Sequence, residues 1–403
     1  MAGVTSDGRL NVAMIGYSFM GRAHAQAWST VGRHFDLPVK PHMKVVVGRS
    51  AEKVEEARAK LGFEEAATDW REVVARDDID IVDICTPGNS HHEIAIAALE
   101  AGKHVMCEKP LANTVEEAQA MADAAAKARV NGVRSMVAFN YRRVPALAHA
   151  KQLIEQGVIG EIRHIRAVYL QDWIVDPEFP LVWRLQSDLA GSGALGDIGA
   201  HIIDLAQHLT GATVTELTGH THTFVTERPL AEGSDGLSAT GSGGPGAAEP
   251  PREMGPVTVD DAALVIARMS DGALATFEAS RFATGRKNGL RIELNGSKGS
   301  IVFDLERLNE LELFTVDGTP ATEGFRRILV TEGDQPYMAA WWPPGHIIGW
   351  EHSFVHEVRD FAVAIAEGTD PQPGFAEGLQ VQHVLDAVQA ASDQRGWVSV
   401  APG

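Results

Sequence analysis

Nowhere in this 403-residue chain do apolar residues run for the roughly 20 positions a membrane span needs; the stretch 94–99 already ends at Glu100. Basic clusters are missing as well. Lys and Arg number 35 against 54 Asp and Glu, and a formal net charge of −19 repels phosphate backbones and anionic headgroups, which argues against nucleic acid and membrane partners. Cysteine is scarce. Cys85 and Cys107 are the only two, both inside apolar runs, so they read as reduced core thiols and not as a disulfide framework or a metal knuckle. Residues 1–9 lack the basic stretch and apolar run of a secretory signal, and the expectation is a cytoplasmic protein. No repeat of fixed period is present, which sets aside solenoids and propellers.

What is present is a 44% apolar composition in a chain longer than one compact domain, so two domains are expected. From residue 10 to 138, β-branched runs at 11–15, 44–47, 79–84, 104–107 and 135–139 alternate with stretches at helical spacing such as 51–61 and 114–129. Thr114, with Glu116 and Glu117 behind it, opens the latter helix. This pattern predicts a doubly wound parallel α/β sheet of the Rossmann type over residues 1–140, with ligands at the carboxyl ends of its strands. Beyond Asn140 the runs lengthen and alternate, at 161–170, 262–269, 273–281 and 290–294, with a turn at Asp271-Gly272. They predict an α+β domain over 141–403 with an open, mainly antiparallel sheet flanked by helices at 193–209, 349–367 and 375–391. The closing helices, within 349–392, are expected to pack back on the first domain. The stretch 231–256, dominated by Gly, Ser, Ala, Pro and acidic residues, reads as a flexible insertion because it cannot bury enough apolar surface to offset its ordering entropy.

The first strand runs into Gly16-Tyr17-Ser18-Phe19-Met20-Gly21, followed by a helical run through His24 and Trp28. A dinucleotide needs a tight turn at Gly16, a close backbone approach near Ser18, intimate helix packing at Gly21 and the helix amides of Phe19 and Met20 to hold phosphate. Ser18 replaces the usual middle glycine. The second strand ends in Gly48-Arg49-Ser50 without the acidic residue that binds an adenosine ribose, and a cation with a hydroxyl suits a 2′-phosphate, so NADP is favoured slightly over NAD.

Glu108-Lys109-Pro110 follows the strand at 104–107, and a lysine there points into the crevice where a nicotinamide lies; its bond to proline is a candidate cis peptide. Farther on, Asp197, His201 and Asp204 fall at i, i+4 and i+7 on one helix face. Two carboxylates and an imidazole suit either a metal or acid/base work. A metal needs three convergent ligands and would be opposed by a nearby lysine, so no metal is expected.

These segments together resemble the Gfo/Idh/MocA (glucose-fructose oxidoreductase/inositol dehydrogenase) family: the glycine-rich turn with His24, Thr86-Pro87 with His91, Glu108-Lys109-Pro110, and Gly193 to Asp204. They occur in the family's order and cover nearly the whole chain. Ser18, Gly88 and the long insertion after Leu230 depart from its pattern. The resemblance implies an NAD(P)-dependent oxidoreductase that transfers a hydride between nicotinamide and a secondary carbinol or ketone of a sugar, anhydrosugar, glycoside or cyclitol. It places Thr86, Pro87, His91 and Glu108 with the cofactor, Lys109 in the catalytic centre, His201 as proton donor or acceptor and Asp197 as partner of both. It also implies a homodimer or homotetramer.

Tyr141 and Arg142 resemble the family segment lining the substrate side. Trp173, Trp183 and Arg184 offer aromatic faces and a polar fork for a sugar ring, and His346 lies in a late loop with Tyr337, Trp341, Trp342 and Trp350, suited to the site or to an interface. Two other functions compete with the dehydrogenase: a glycosidase using NAD for transient oxidation, and a non-catalytic nicotinamide or sugar sensor. Retention of Lys109, Asp197 and His201 argues against the sensor.

Overall fold

A computed structural model describes residues 8–230, 253–316 and 318–401. The chain divides into two compact units, the first ending at Pro145 and taking in Thr331–Gln382, the second covering Ala146–Val330 and the chain from His383. Among the described residues no helix is long and apolar enough to cross a membrane.

In the first unit the elements alternate: β1 (Arg9–Ile15), α1 (Phe19–His34), β2 (Lys40–Val47), α2 (Ala51–Leu61), β3 (Glu65–Ala67), α3 (Trp70–Val74), β4 (Ile81–Ile84), α4 (His91–Glu100), β5 (His104–Cys107), α5 (Val115–Val130) and β6 (Ser135–Val137). The six strands are parallel, in the order β3-β2-β1-β4-β5-β6. Strand order reverses between β1 and β4, the crevice where such sheets bind ligands. β4 and β5 are buried along their whole length, as a sheet covered on both faces requires. The run read as 79–84 begins pairing only at Ile81, and the run read as 135–139 stops at Val137, where the chain turns into a short 3₁₀ segment, Asn140–Arg143. β3 is three residues long, too short for its alternation to be read.

A later helix, α9 (His352–Glu367), belongs to the same unit. Its Phe354, Val355, Val358 and Phe361 share one core with Ala23, Ala27, Trp28 and Val31 of α1. Fully burying each such large side chain stabilises by about 1.5–3 kcal/mol, and this face continues the core built by Leu10, Val12 and Ile81. Cys85 and Cys107 are free and buried.

The second unit carries α6 (Pro145–Glu155), β7 (Ile162–Leu170), α7 (Ser187–Ala190), α8 (Ala200–Thr210) and the strands β8 (Val214–His222), β9 (Glu227–Pro229), β10 (Met254–Pro256), β11 (Ala262–Met269), β12 (Leu274–Ser280), β13 (Gly289–Gly296), β14 (Gly299–Asp304), β15 (Glu310–Thr315) and β16 (Arg326–Leu329). After α10 (Phe375–Gln394), β17 (Val398–Ser399) ends the nine-stranded sheet β16-β15-β14-β13-β7-β12-β11-β8-β17. All its neighbours run antiparallel except β12 and β7. Alternation sets the faces: in β11, Ala263, Val265 and Ala267 are buried while Leu264, Ile266 and Arg268 are exposed. Of the stretch read as a flexible insertion, 231–252 lie outside the described residues. Its end does form structure, Met254–Pro256 pairing with Glu227–Pro229. The helix read as 193–209 opens with a π-helical turn, Leu195–Gly199, before α8.

Candidate functional site

In the first unit the turn after β1 is shaped by two glycines. Gly16 has φ +99°, and a Cβ on it would stand 2.7 Å from the Cys85 carbonyl oxygen; a Cβ on Gly21 would stand 2.2 Å from the Gly16 carbonyl oxygen. Both positions exclude any larger residue. Ser18, at φ −72°, needs no such freedom, so its departure from glycine introduces no backbone strain. As N-cap of α1 it makes no side-chain bond to the first turn, the arrangement that a pyrophosphate would complete. Phe19 is partly exposed and stacks on Trp350 at 5.7 Å, while Met20 packs against the core. At the end of β2, Arg49 is exposed and Ser50 caps α2 by accepting from the Lys53 amide. A Cβ on Gly48 would collide with the Tyr17 ring, so glycine keeps that edge open.

Around the ends of β4 and β5, Ser90 donates to the Thr86 hydroxyl at 2.7 Å, beside Pro87. Gly88 fits because a Cβ there would meet Asn113 Oδ1 at 2.3 Å. His91 is buried, its ring nitrogens facing the Thr86 and Pro110 carbonyls at 2.9 and 3.1 Å. Burial holds it below its ordinary pKa, and the ring ties the two strand ends together from within. The Lys109-Pro110 peptide is cis. Lys109 is half-buried and its amide donates to Glu108 Oε2 at 3.0 Å. Glu108 itself is buried against His24.

His24, Asp83 and Cys85 hold possible ligand atoms within 4.8 Å of one another. Both ring nitrogens of His24 already face carboxylates, Asp83 on one side and Glu108 on the other, so no lone pair is left for an ion. Burial pushes the Cys85 thiol up, away from the thiolate a metal would need.

Tyr141 and Arg142 are buried in the 3₁₀ turn, where the Tyr141 hydroxyl accepts from Trp350 Nε1 at 3.3 Å. Their neighbour Arg143 is bound to Asp360 and to the Gln372 carbonyl. The late aromatic loop packs within this unit: Trp341 donates to His356 Nε2 at 2.7 Å and meets His34, while Tyr337 stacks on His356 and bonds Asp360. Burial pushes His356 down to about 3, and its Nδ1 donates to the Arg143 carbonyl, which fixes its tautomer. His346 is exposed and turns back on the Pro343 carbonyl.

In the second unit, Asp260, just before β11, accepts from the Gly193 and Leu195 amides at 2.7 and 2.8 Å and so caps the π-turn. A Cβ on Gly193 would lie 1.7 Å from the Asp260 carbonyl oxygen, which explains the glycine. Burial pushes Asp260 up against the opposing pull of Arg281 and those amides. The turn presents Asp197, whose carboxylate meets Arg184 at 3.3 Å and Arg281 at 3.8 Å. His201 and Asp204 follow on α8, both buried, with the His201 ring 5.9 Å from Tyr169. Arg184 stacks on Trp183 at 4.4 Å, and Arg281 lies 5.5 Å over Trp173, whose Nε1 donates to Gln171. Trp173, Trp183, Arg184 and Asp197 are thus gathered in this unit through a residue the sequence reading passed over, Arg281. Arg281 is fully buried, and burial lowers its pKa from the free value. Its only sequence signal was a cation at the end of an otherwise apolar alternating strand.

Residues 10–138 match the oxidoreductase family model with an NAD-binding Rossmann fold, and residues 147–302 match the GFO/IDH/MocA C-terminal domain. The levoglucosan dehydrogenase of Pseudarthrobacter phenanthrenivorans is 44% identical over 393 residues, 97% of this chain and 98% of the relative. An oxidoreductase domain protein from Kribbella flavida has a crystal structure that is 57% identical, with a TM-score of 0.91 over 98% of this chain and 99% of that one. A levoglucosan dehydrogenase solved with NADH and levoglucosan is 42% identical, with a TM-score of 0.89 over 97% of this chain and 99% of that one.

Proposed function

This chain belongs to the Gfo/Idh/MocA oxidoreductase family and is a nicotinamide-dependent dehydrogenase of sugar or polyol carbinols; from that premise we propose that it oxidises an anhydrohexose of the levoglucosan class with NAD. The observation that carries the reading is the near full-length likeness to levoglucosan dehydrogenase. The expectation of NADP from Arg49 and Ser50 gives way to NAD, because the related complex contains NADH and Ser50 is engaged in capping α2.

The turn at Gly16–Gly21 and the first amides of α1 would hold the pyrophosphate. Bound NAD would supply the acceptor for the hydrogen and electron pair of the carbinol carbon. His201 takes the hydroxyl proton as general base. The Lys109 ammonium is the group suited to stabilise negative charge developing on a carbinol oxygen. Asp197, held by Arg184 and Arg281, orients the polar end of the site. Trp173 and Trp183 present faces to the sugar ring, and Tyr141 and Arg142 serve its hydroxyls. We place the reaction in the cytoplasm, in a homodimer or homotetramer. The exposed Leu264, Ile266 and Leu274 on the open sheet face offer the surface for a second copy, which the mass in solution tests.

Formation of reduced nicotinamide is to be followed with levoglucosan, glucose, myo-inositol and aryl glycosides, each with NAD and NADP. Levoglucosan with NAD is expected to give the highest kcat/KM, and Lys109→Ala to lower kcat about 10²- to 10⁴-fold while NADH still binds. Release of aglycone without net nicotinamide change would point to the glycosidase, and no turnover with any substrate to a sensor.

A further inference from the structure

The first unit contains a closed set of charges that the chemistry above does not use directly. His24, on α1, is 1% exposed. Its Nδ1 lies 2.9 and 3.0 Å from the two Asp83 oxygens, and its Nε2 lies 2.9 Å from Glu108 Oε1. Trp28 Nε1 donates to Asp83 Oδ2 at 2.7 Å, and Cys85 Sγ lies 3.6 Å from Asp83 Oδ1. Each ring nitrogen therefore faces an anionic oxygen, and both donate only if the ring is an imidazolium. Burial opposes that charge, but the Asp83 carboxylate and the other neighbours outweigh it and hold His24 well above its ordinary pKa. The Phe354 ring of α9 covers His24 at 5.6 Å.

Glu108 passes this order on. Burial pushes its carboxyl up, yet the His24 hydrogen bond and charge, with the Lys109 charge, bring it below the usual range, so it stays ionised. One oxygen takes the imidazolium and the other accepts the main-chain N–H of Lys109. The Glu108 amide is itself anchored in the ladder on the Ile84 carbonyl. A continuous line of bonds thus runs from Asp83 through His24 and Glu108 to the backbone of Lys109.

We propose that His24 is a positioning residue for the dehydrogenation: by clamping Glu108 between its own ring and the Lys109 amide, it sets the direction in which the Lys109 ammonium leaves the end of β5. The proposal rests on the reading of Lys109 as the catalytic lysine, and nothing in the His24 cluster itself touches substrate.

The test measures kcat, KM for levoglucosan and NADH binding by fluorescence in the full chain, for His24→Gln, Glu108→Gln, Glu108→Ala, Lys109→Ala and the His24→Gln/Lys109→Ala pair. His24→Gln is expected to lose about 10- to 100-fold in kcat, with KM and NADH binding within about threefold of wild type. Placed on Lys109→Ala, it should leave the residual rate unchanged. Glu108→Gln keeps an oxygen for the Lys109 amide and should retain more kcat than Glu108→Ala. An equal fold-loss from His24→Gln with and without Lys109, or equal losses in the two Glu108 variants, overturns the proposal. Wild-type turnover in Lys109→Ala would remove that lysine from the chemistry, and the clamp is then judged without turnover. The ¹³C resonance of reductively methylated Lys109, assigned by its loss in Lys109→Ala, moves in His24→Gln if the clamp directs the side chain, and an unmoved resonance overturns the clamp. If His24→Gln does not fold, the Glu108 pair decides.

Discussion

In the first unit a cation, His24, lies between two carboxylates; in the second a carboxylate, Asp197, lies between two guanidiniums, Arg184 and Arg281. The two triples differ most in access. His24, Asp83 and Glu108 are 1%, 0% and 4% exposed, whereas the Asp197 and Arg184 side chains keep 19% and 17%. A sealed triple has no route by which a ligand could exchange protons or hydrogen bonds with it, so its influence is geometric. A triple with one open side keeps its charge balance while leaving carboxylate oxygen to meet a substrate. Burial, more than residue type, therefore separates the His24 triple from the Asp197 triple.

The largest expected effect comes from breaking the open triple at its buried end. Arg281→Met leaves Asp260 and Asp197 without their buried cation and should destabilise the second unit by about 3–5 kcal/mol, read from the urea midpoint. A loss below about 1 kcal/mol would mean that Arg281 does not hold the carboxylates, and the symmetry between the triples would be lost.

A smaller effect, of opposite sign, sharpens the sealed side. Glu357 of α9 is fully buried, and burial pushes its carboxyl up to about 8 despite Arg143 at 3.8 Å and the nearby His24. A carboxyl that binds its proton more tightly when folded loses stability as pH rises from its unfolded value, near 4.3, toward 8, because the unfolded chain ionises first. Glu357→Gln removes that penalty, and should stabilise by up to about 3 kcal/mol at neutral pH. The gain should vanish below about pH 4.5 and level off above pH 8. A thermal melt series across pH reads it, and a gain independent of pH would assign the effect to packing instead.

The smallest effect belongs to Ser18→Gly. With Ser18 in an ordinary backbone conformation and its hydroxyl not capping α1, the change should cost only a few tenths of a kcal/mol and alter NADH binding by no more than about threefold. A larger change in NADH binding would show that the hydroxyl itself meets the cofactor.

Legibility followed the distance over which each feature is determined. The glycines at 16 and 21 could be read because a tight turn and a close helix approach are demands of adjacent residues, and the start of α5 was marked by its own cap, Thr114. The sealed triple could not be read: His24 is 59 residues from Asp83 and 84 from Glu108, and nothing in the spacing of α1 says which strand ends its imidazole will meet. The family resemblance places Glu108 and His91 with the cofactor, and the fold buries both side chains. The π-turn under Asp197 was equally hidden, since its cap, Asp260, arrives from more than 60 residues downstream.

Local chemistry written in the chain was enough to determine the parallel and mainly antiparallel sheets, the glycine turn and the candidate polar residues, because periodicity and turn propensity act over a few neighbours. Which of those polar residues are sealed and which stay open was decided by tertiary structure alone. Desolvation depends on everything packed around a group, most of it distant in sequence, so no run of neighbouring residues can specify it.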